Sequence, residues 1–223
     1  LDDGRLGLLA RANGGLALLD ELDKLPTQAT KCLYEAMESG RITVNSKTIA
    51  RELESRFVCM ATANPKGDLL AKTVSRARRQ LLGSVPAALL SRFHLVFVLR
   101  QPVGKELEKT VSRILIRTGR ENPHLPFLRS YFRTIKDLCP SVKCELDPKS
   151  PSVKSARKFL ARKITASNKG KLGAPLSVRA AEALRRLCIS SARMRLSPHV
   201  EDVDVRNASS IMKSSLATWR DSR

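Results

Sequence analysis

Hydrophobic residues in the first hundred positions fall into short runs that end in polar side chains. The first run, 16–19, is followed directly by Asp20 and Glu21, and the second, 57–63, is followed by Asn64 and a proline. Runs without polar alternation are typical of strands buried on both faces of a parallel sheet. The carboxyl ends of such strands form the edge at which open α/β folds bind ligands. We therefore expect these three polar residues at that edge of a parallel sheet.

The pattern changes between these two strands. After Pro26, five apolar positions follow the spacing of one helix face, and Gly40 suits the position just beyond the C-terminus of that helix. Residues 41–44 and 48–53 have a strand pattern on either side of a turn-like Asn-Ser-Lys, which predicts a β-hairpin with a polar, basic tip. A short helix near 86–90 and a third strand at 94–99 complete this part of the chain.

Helical spacing replaces the strand pattern beyond residues 101–104, whose sequence Gln-Pro-Val-Gly is typical of a boundary. Apolar residues then recur at the period of amphipathic helices. The predicted helices cover residues 105–118, 126–139, 152–165, 177–195 and 202–219. We therefore predict an α/β domain at residues 1–101 and an all-α domain at residues 102–223.

The charge of the chain is strongly unbalanced, with 41 Lys and Arg against 21 Asp and Glu, a formal net charge of +20. Such an excess predicts attraction to a polyanion, most plausibly nucleic acid. Basic helix faces in solvent would account for many of these residues singly, but not for the size of the imbalance. Aromatic residues make up only 4% of the chain, so sequence-tolerant binding to the phosphate backbone is favoured over base stacking.

The remaining composition excludes several classes of protein. A hydrophobic content of 42% in 223 residues suits a globular chain of one large or two modest domains. No apolar run approaches the roughly 18 residues that span a bilayer, so we expect no membrane segment. The five scattered cysteines predict free thiols in a reducing compartment, and Cys139 with Cys144 has no second Cys or His pair at zinc-finger spacing.

Two adjacent carboxylates at the end of a buried strand suggest a specific chemistry. One acid can hold a magnesium-bound water while the next polarises an attacking water, which is the form of a Walker B element. A plain strand followed by solvated acids would show the same residues. Taken alone, Asp20 and Glu21 therefore leave both interpretations open.

The order of the segments along the chain resembles that of an AAA+ ATPase, and within that class the minichromosome maintenance (MCM) helicase family. The resemblance covers nearly the whole chain. It implies an α/β fold, with a partial AAA+ parallel-sheet core and a β-hairpin insertion, followed by an all-α lid domain. It is carried by a Walker B-like block ending Asp20-Glu21-Leu22-Asp23-Lys24-Leu25, by Glu35-Ala36-Met37-Glu38, by Ala61-Thr62-Ala63-Asn64-Pro65, by Leu89-Leu90-Ser91-Arg92-Phe93 and by the segment 176–184.

The resemblance also implies a role for each site residue, with ATP and Mg²⁺ as the ligands. Asp20 would hold the magnesium ion through water, and Glu21 would orient and activate the hydrolytic water. Asn64 would contact that water or the γ-phosphate, as sensor 1. Arg92, as arginine finger, and Arg179, as sensor 2, would reach the nucleotide of a neighbouring subunit. The two arginines would thus act in trans, whereas the other three residues act in cis.

The hairpin and the assembly are likewise interpreted from the resemblance. The corresponding hairpin projects into the channel of a ring and presents a lysine to DNA, which makes Lys47 the candidate and Arg41 and Arg51 secondary candidates. The implied partners are single- or double-stranded DNA, bound without sequence preference, and MCM-like subunits in a homo- or hetero-hexamer. The nucleus is the expected location, or the cytoplasm if the protein is archaeal.

One element of the family is missing from these residues. A Walker A loop, Gly-x-x-x-x-Gly-Lys-Ser/Thr, does not occur, so we expect this piece to bind no ATP tightly and to be inactive by itself. A non-catalytic MCM-like subunit for DNA binding or assembly is one alternative, and the intact Asp20-Glu21 pair argues against it. A chelatase- or MoxR-like ATPase is another, and the Ser91-Arg92-Phe93 block and the net charge argue against that.

Overall fold

The computed structural model describes residues 7–45, 50–64, 85–99, 102–116, 123–138, 141–172 and 174–219. The chain divides into two compact units, one up to His94 and one from Leu95 onward. The border between the two compact units therefore lies earlier in the chain than the predicted domain boundary, which follows residue 101. The assignment of residues 1–101 and 102–223 to two domains stays a prediction, because compactness alone does not define a family domain.

The first unit combines short strands with short helices. A parallel pair of strands, β1 and β4, sets Leu16 opposite Val58 and Leu19 opposite Ala61. A separate antiparallel pair, β2 and β3, forms the predicted hairpin. These findings confirm the α/β class and the hairpin insertion. The elements are α1 Leu8–Arg11, β1 Leu16–Leu19, a 3-10 helix Leu22–Lys24, α2 Thr27–Ser39, β2 Arg41–Asn45, β3 Ala50–Glu54, β4 Val58–Ala61 and α3 Ala87–Leu90.

The parallel pair is covered on one side only. Ala17 is buried, whereas the large side chains on the other face of the two strands are between half and two-thirds exposed. The prediction that β1 is buried on both faces is therefore wrong for the part of the chain that the structure describes. The physical reason is that no described residue packs over that second face, which is formed by Leu16, Leu18, Val58 and Met60.

Hydrogen bonds attach α2 to the hairpin and fix where the helix ends. Gly40 has a left-handed backbone with φ of 70°, and its N–H donates to the Ala36 carbonyl at 2.9 Å, as expected for a glycine beyond a helix C-terminus. The Glu35 carboxylate accepts hydrogen bonds from the backbone N–H and the hydroxyl of Thr43, at 2.9 and 2.6 Å. Ala36 packs with Ile42 in a small core between helix and hairpin.

The second unit confirms the predicted succession of five helices, with bounds close to those expected from periodicity. Small residues allow two of them, α7 and α8, to pack closely, since Cys188, Ala192 and Ala208 are fully buried between them. The helices are α4 Lys105–Ile116, α5 Leu125–Leu138, α6 Pro151–Asn168, α7 Arg179–Met194 and α8 Asp202–Ala217. None of the described helices is long and apolar enough to cross a membrane.

The third predicted strand, 94–99, is wrong, because the described residues there form no strand. The backbone of this extended segment bonds instead to side chains of the last helix and its end. The Val96 N–H donates to the Ser215 hydroxyl at 3.1 Å, and the Val96 carbonyl accepts from Trp219 Nε1 at 2.9 Å. The Val98 N–H donates to the Thr218 hydroxyl at 3.0 Å. This segment therefore belongs to the helical unit.

Candidate active site

The carboxyl ends of β1 and β4 bring acidic and hydroxyl side chains together. The Thr62 N–H donates to the Leu19 carbonyl at 2.9 Å, and the Leu22 N–H donates to the Thr62 carbonyl at 2.8 Å. The Thr62 hydroxyl donates to the Asp20 carboxylate, and the Glu21 N–H lies 3.1 Å from Asp20 Oδ1 and 3.3 Å from Thr62 Oγ1. The carboxylate of Asp20 is therefore oriented by two donors.

Glu21 occupies a backbone conformation that few residues other than glycine adopt. Its φ and ψ are 54° and 50°, in the left-handed region, which costs roughly 1–2 kcal/mol for a residue with a side chain. This single residue changes the direction of the chain, so that Leu22 is buried while Glu21 stays exposed. Strain of this kind is concentrated at functional sites. It therefore supports a functional role for this exposed acid.

Asp23 holds the ends of the two strands together from a buried position. Its side chain is only 5% exposed, and Oδ1 accepts a hydrogen bond from the Asn64 backbone N–H at 2.9 Å. This bond holds the pKa of Asp23 below its usual value, although burial acts in the opposite direction. Lys24 Nζ lies 3.6 Å from the same carboxylate. Asp23 therefore fixes the backbone of Asn64 beside the Asp20–Glu21 turn.

Arg92 is held within its own unit. Its Nη2 lies 2.7 Å from Glu38 Oε2, and its guanidinium carbon lies 5.0 Å from the centre of the Tyr34 ring, both on α2. The Arg92 side chain is 14% exposed and that of Glu38 is 59% exposed. Arg92 Nε is buried and has no hydrogen-bond partner among the described residues. An arginine has five N–H donors, so the two on Nη1 remain for another acceptor once Nη2 and the buried Nε are set aside.

Arg179 lies in the second unit, as the first residue of α7. It is exposed, and its backbone N–H lies 3.3 Å from the Ser177 hydroxyl. The backbone N–H groups of Ala180 and Ala181, in the same first turn, donate to the Ser177 and Val178 carbonyls at 3.0 and 2.9 Å. The exposed guanidinium of Arg179 and the positive end of the helix dipole together favour an anion at this helix end.

The hairpin carries acids beside its bases. Arg41 Nη1 lies 3.0 Å from Glu52, and its Nη2 lies 3.9 Å from Glu54, so that much of its charge is balanced within the hairpin. Arg51 is exposed on β3. Lys47, the main predicted DNA contact, lies outside the described residues. The roles of all three in DNA binding stay predictions.

The structure thus brings together Asp20, Glu21 and Asn64, the three residues predicted to act in cis. It adds Thr62 and Asp23, which the sequence analysis did not single out. Thr62 stands inside the Ala61–Pro65 motif, and only the strand register reveals that its hydroxyl meets Asp20. No comparable signal marks Asp23, because its partner lies 41 positions away in the sequence.

The oxygen atoms of this edge suit a hard divalent cation. Mg²⁺ prefers oxygen ligands and is usually bound by one or two carboxylates, waters and phosphate oxygens of the substrate. Among the described residues, no group of three or more His, Cys, Asp or Glu side chains could hold a metal ion. The Asp20 carboxylate, which accepts the Thr62 hydroxyl, offers oxygen atoms of the kind that Mg²⁺ prefers.

Comparisons with known proteins agree on one family. Residues 5–118 match the family model described as MCM P-loop domain, and residues 127–216 match the one described as MCM AAA-lid domain. The minichromosome maintenance protein MCM of Saccharolobus solfataricus is 25% identical over 225 residues, which cover 93% of this chain and 30% of that protein. The DNA replication licensing factor MCM7 of Oryza sativa subsp. indica is 27% identical over 221 residues, 94% of this chain and 29% of that protein.

A third relative is named as a helicase rather than as a licensing factor. The probable DNA helicase MCM8 of Oryza sativa subsp. indica is 29% identical over 254 residues, which cover 94% of this chain and 31% of that protein. The chain therefore spans about a third of the length of each of these relatives.

Proposed function

The chain belongs to the MCM family, and on this premise we propose that it is part of an ATP-dependent DNA helicase or translocase. It would act in a ring of MCM-like subunits, of one kind or several, on DNA that is bound without sequence preference. Relatives that are named as replication licensing factors and as a probable DNA helicase support this proposal. So does the net charge of +20, since positive charge attracts nucleic acid. A nuclear location follows for a eukaryotic protein, and a cytoplasmic one for an archaeal protein.

The observation that carries the proposal is the contact between two parallel strand ends: Thr62, just after β4, bonds to Asp20 and Glu21, just after β1. Asp20, oriented by Thr62, would hold the waters of a magnesium ion bound with ATP. The ion itself would neutralise negative charge on the phosphates. Glu21, exposed by its left-handed turn, would orient the attacking water and accept its proton. Asn64, fixed through its backbone by Asp23, would contact that water or the γ-phosphate.

The two arginines would complete the site of a neighbouring subunit. Arg92 would stabilise the charge that develops on the transferred phosphoryl group, an effect of about 10³–10⁵ in rate for arginine fingers in GTPases. Its contacts with Glu38 and Tyr34 leave other guanidinium N–H groups available for such a phosphate. Arg179 would act from the start of α7. In DNA binding, Lys47 would be the main hairpin contact, with Arg41 and Arg51 beside it.

The first experiment replaces Glu21 by Gln in the full-length protein, because these 223 residues contain no Gly-x-x-x-x-Gly-Lys-Ser/Thr sequence. ATP hydrolysis should fall by about 10²–10⁴-fold, the usual contribution of a general base, while ATP binding is retained. The matched control is Glu108→Gln, which removes the same charge from an exposed position on α4. Unchanged turnover in the Glu21 variant would exclude the Walker B assignment.

A mixing experiment tests the roles in trans. Subunits with Arg92→Ala lack the proposed finger but keep Glu21, whereas subunits with Glu21→Gln lack the base but keep the finger. A mixed ring therefore contains some interfaces with both residues intact, and hydrolysis should partly recover. If hydrolysis stays at the level of the separate variants at every mixing ratio, Arg92 does not act across an interface.

A further inference from the structure

Helix α6 of the second unit has an unusual charge composition. It spans Pro151–Asn168 and contains five Lys or Arg residues but no Asp or Glu. Lys169 and Lys171 follow directly after it, and both are exposed. The helix therefore differs from the hairpin, in which Glu52 and Glu54 lie close to Arg41.

Three of these cations form one outward stripe. Ala156 and Leu160 are buried and mark the side of α6 that faces the core. At 3.6 residues per turn, the positions four residues apart at Lys154, Lys158 and Arg162 lie on the opposite side, and all three are exposed. At 1.5 Å per residue, the stripe is about 12 Å long. One strand of a duplex passes about three to four phosphates over that distance, at 3.4 Å each.

A simple solvated helix face is a poor explanation for this stripe. Like charges four residues apart on a helix repel each other and destabilise it. Elsewhere in the chain, Arg92 and Arg195 have acidic partners close by. Within the part of the chain that the structure describes, no ion pair involves Lys154, Lys158 or Arg162. The repulsion within the stripe therefore has no compensation of that kind from described acids, and a polyanion from outside would supply it.

Neighbouring residues extend the basic surface and define its limit. Lys163 and Lys213 lie over the Phe159 ring, 5.9 and 5.5 Å from its centre, which adds a cation from α8. Asp202 lies at the N-terminal end of α6, where its carboxylate accepts a hydrogen bond from the Ser150 hydroxyl at the helix N-cap. The positive surface therefore begins at Lys154, about one turn from the N-terminus, and continues to the C-terminal end of α6.

We propose that the α6 stripe of Lys154, Lys158 and Arg162 is a binding surface for the phosphate backbone of nucleic acid. The stripe contains no aromatic residue that could stack on bases, so binding is independent of sequence. A row of like charges without an apolar anchor also fits a phosphate backbone better than a folded protein, whose interfaces are built around buried anchor residues. The inference extends the proposed function by a second DNA contact, but it does not depend on ATP hydrolysis.

The test compares two variants of the protein that lose the same charge. Lys158→Gln with Arg162→Gln removes two cations of the stripe. The control, Arg185→Gln with Arg186→Gln, removes two cations of α7 that lie 3.8 and 3.1 Å from Glu182. Binding to a labelled mixed-sequence oligonucleotide, single-stranded or duplex, is measured by fluorescence anisotropy without nucleotide, at about 50 to 200 mM salt.

The stripe variant should lower the slope of log K against log salt by about 1.4 for single strands and about 1.8 for duplex DNA. If the two contacts contribute nothing at 1 M salt, these slopes correspond to affinity losses of about 25- and 60-fold at 0.1 M. The control should keep the wild-type slope. A charge-retaining exchange, Lys158→Arg with Arg162→Lys, should also keep it, which separates loss of charge from loss of packing.

Four results would overturn or separate the proposals. Equal slopes for the stripe variant and its control exclude α6 as a nucleic-acid surface. If the stripe variant and its control differ in binding to polyglutamate but not to DNA, the stripe binds acidic proteins. That result would also refute the nucleic-acid surface. If the stripe variant fails to fold by circular dichroism, Lys154→Gln is compared with Arg185→Gln, and a slope change below about 0.7 refutes the surface. The expected slopes together with unchanged hydrolysis in Glu21→Gln would support the surface and refute only the ATPase assignment.

Discussion

Replacement of Asp204 by Asn tests the ion pair that joins the end of α7 to the first turn of α8. Arg195 follows α7, and its Nε and Nη2 donate to Asp204 Oδ1 and Oδ2 at 3.0 and 2.8 Å. The Asp204 side chain is fully buried, and its Oδ2 also accepts the Glu201 backbone N–H at 2.9 Å in the capping box of α8. Because α7 begins with Arg179, this pair also secures the helix that carries a proposed catalytic arginine.

The size of the effect follows from burial. Removing one partner of a fully buried ion pair costs about 3–5 kcal/mol, because the other charge is left uncompensated. The Arg195 side chain is 33% exposed and can be partly rehydrated, which lowers the expected cost of Asp204→Asn to about 2–4 kcal/mol. The Asn amide would also turn an N–H₂ group towards the guanidinium donors. For a unit of this size, Tm should fall by roughly 10 °C.

Urea and thermal unfolding, followed by circular dichroism, measure the loss. The matched control is Glu201→Gln, which removes an acid that is 58% exposed and lies 3.3 Å from the same Arg195. It keeps an oxygen acceptor for the capping box and should cost at most about 1 kcal/mol, as exposed ion pairs do. Equal losses of unfolding free energy in the two variants would refute the argument from burial.

The pH dependence gives a second readout of the same pair. Burial alone would raise the pKa of Asp204, but the hydrogen bonds from Arg195 and from the Glu201 amide outweigh it and hold the pKa below its usual value. A lowered pKa in the folded state contributes stability that is present above the unfolded pKa of about 3.9 and is lost as pH falls through the folded value. The difference between wild type and Asp204→Asn should therefore be largest above pH 4 and shrink below it. A difference that is constant down to pH 2 contradicts the charge-based explanation.

Three further changes test the first unit. Thr62→Val in the full-length protein removes the hydroxyl that orients Asp20 and should lower kcat for ATP hydrolysis about 10–100-fold. Thr62→Ser keeps the hydroxyl and should keep the wild-type rate. Equal rates for the two variants would refute the role of the hydroxyl. Glu38→Gln should lower the free energy of chemical unfolding by only about 0.5–1 kcal/mol, because Glu38 is 59% exposed. It should nevertheless reduce ATP hydrolysis, because Arg92 is no longer held in place. Full activity of this variant would show that Glu38 does not position Arg92 for catalysis. Gly40→Ala should cost about 1–2 kcal/mol in thermal unfolding, since φ is 70° and the new Cβ would lie 2.8 Å from Arg56 Cγ; an unchanged Tm would count against that strain.

The elements that depend on local periodicity could be predicted from the sequence. The predictions of helices α4 to α8 and of the hairpin rest on side-chain patterns that repeat over short stretches of sequence. In the structure, these elements begin and end within a few residues of their predicted bounds. The strand predicted at 94–99 was wrong because its apolar pattern is compatible with any extended segment. The partners of Val96, which decide the matter, lie about 120 positions downstream on α8 and at its end.

In the candidate site, too, some residues could be placed from the sequence and others could not. The position of Asp20, Glu21 and Asn64 could be predicted because they follow apolar runs, and a parallel sheet brings the ends of such strands together, whereas their roles stay predictions. Thr62 and Asp23 could not be predicted, because their roles depend on which side-chain atoms meet across the β1–β4 register. The neighbour of Arg92 was equally hidden, since Glu38 is separated from it by 54 positions.

The contact between Glu38 and Arg92 bears on the proposed action of Arg92 in trans. Fixing a free arginine side chain costs up to about 2 kcal/mol of conformational entropy. Here Glu38 and Tyr34 already restrict the Arg92 guanidinium within its own subunit, to 14% exposure. An arginine positioned in this way loses less freedom when it meets the phosphate of a neighbouring nucleotide, which is the advantage of preorganisation. Glu38 on α2 would therefore contribute to the proposed catalysis without contacting ATP.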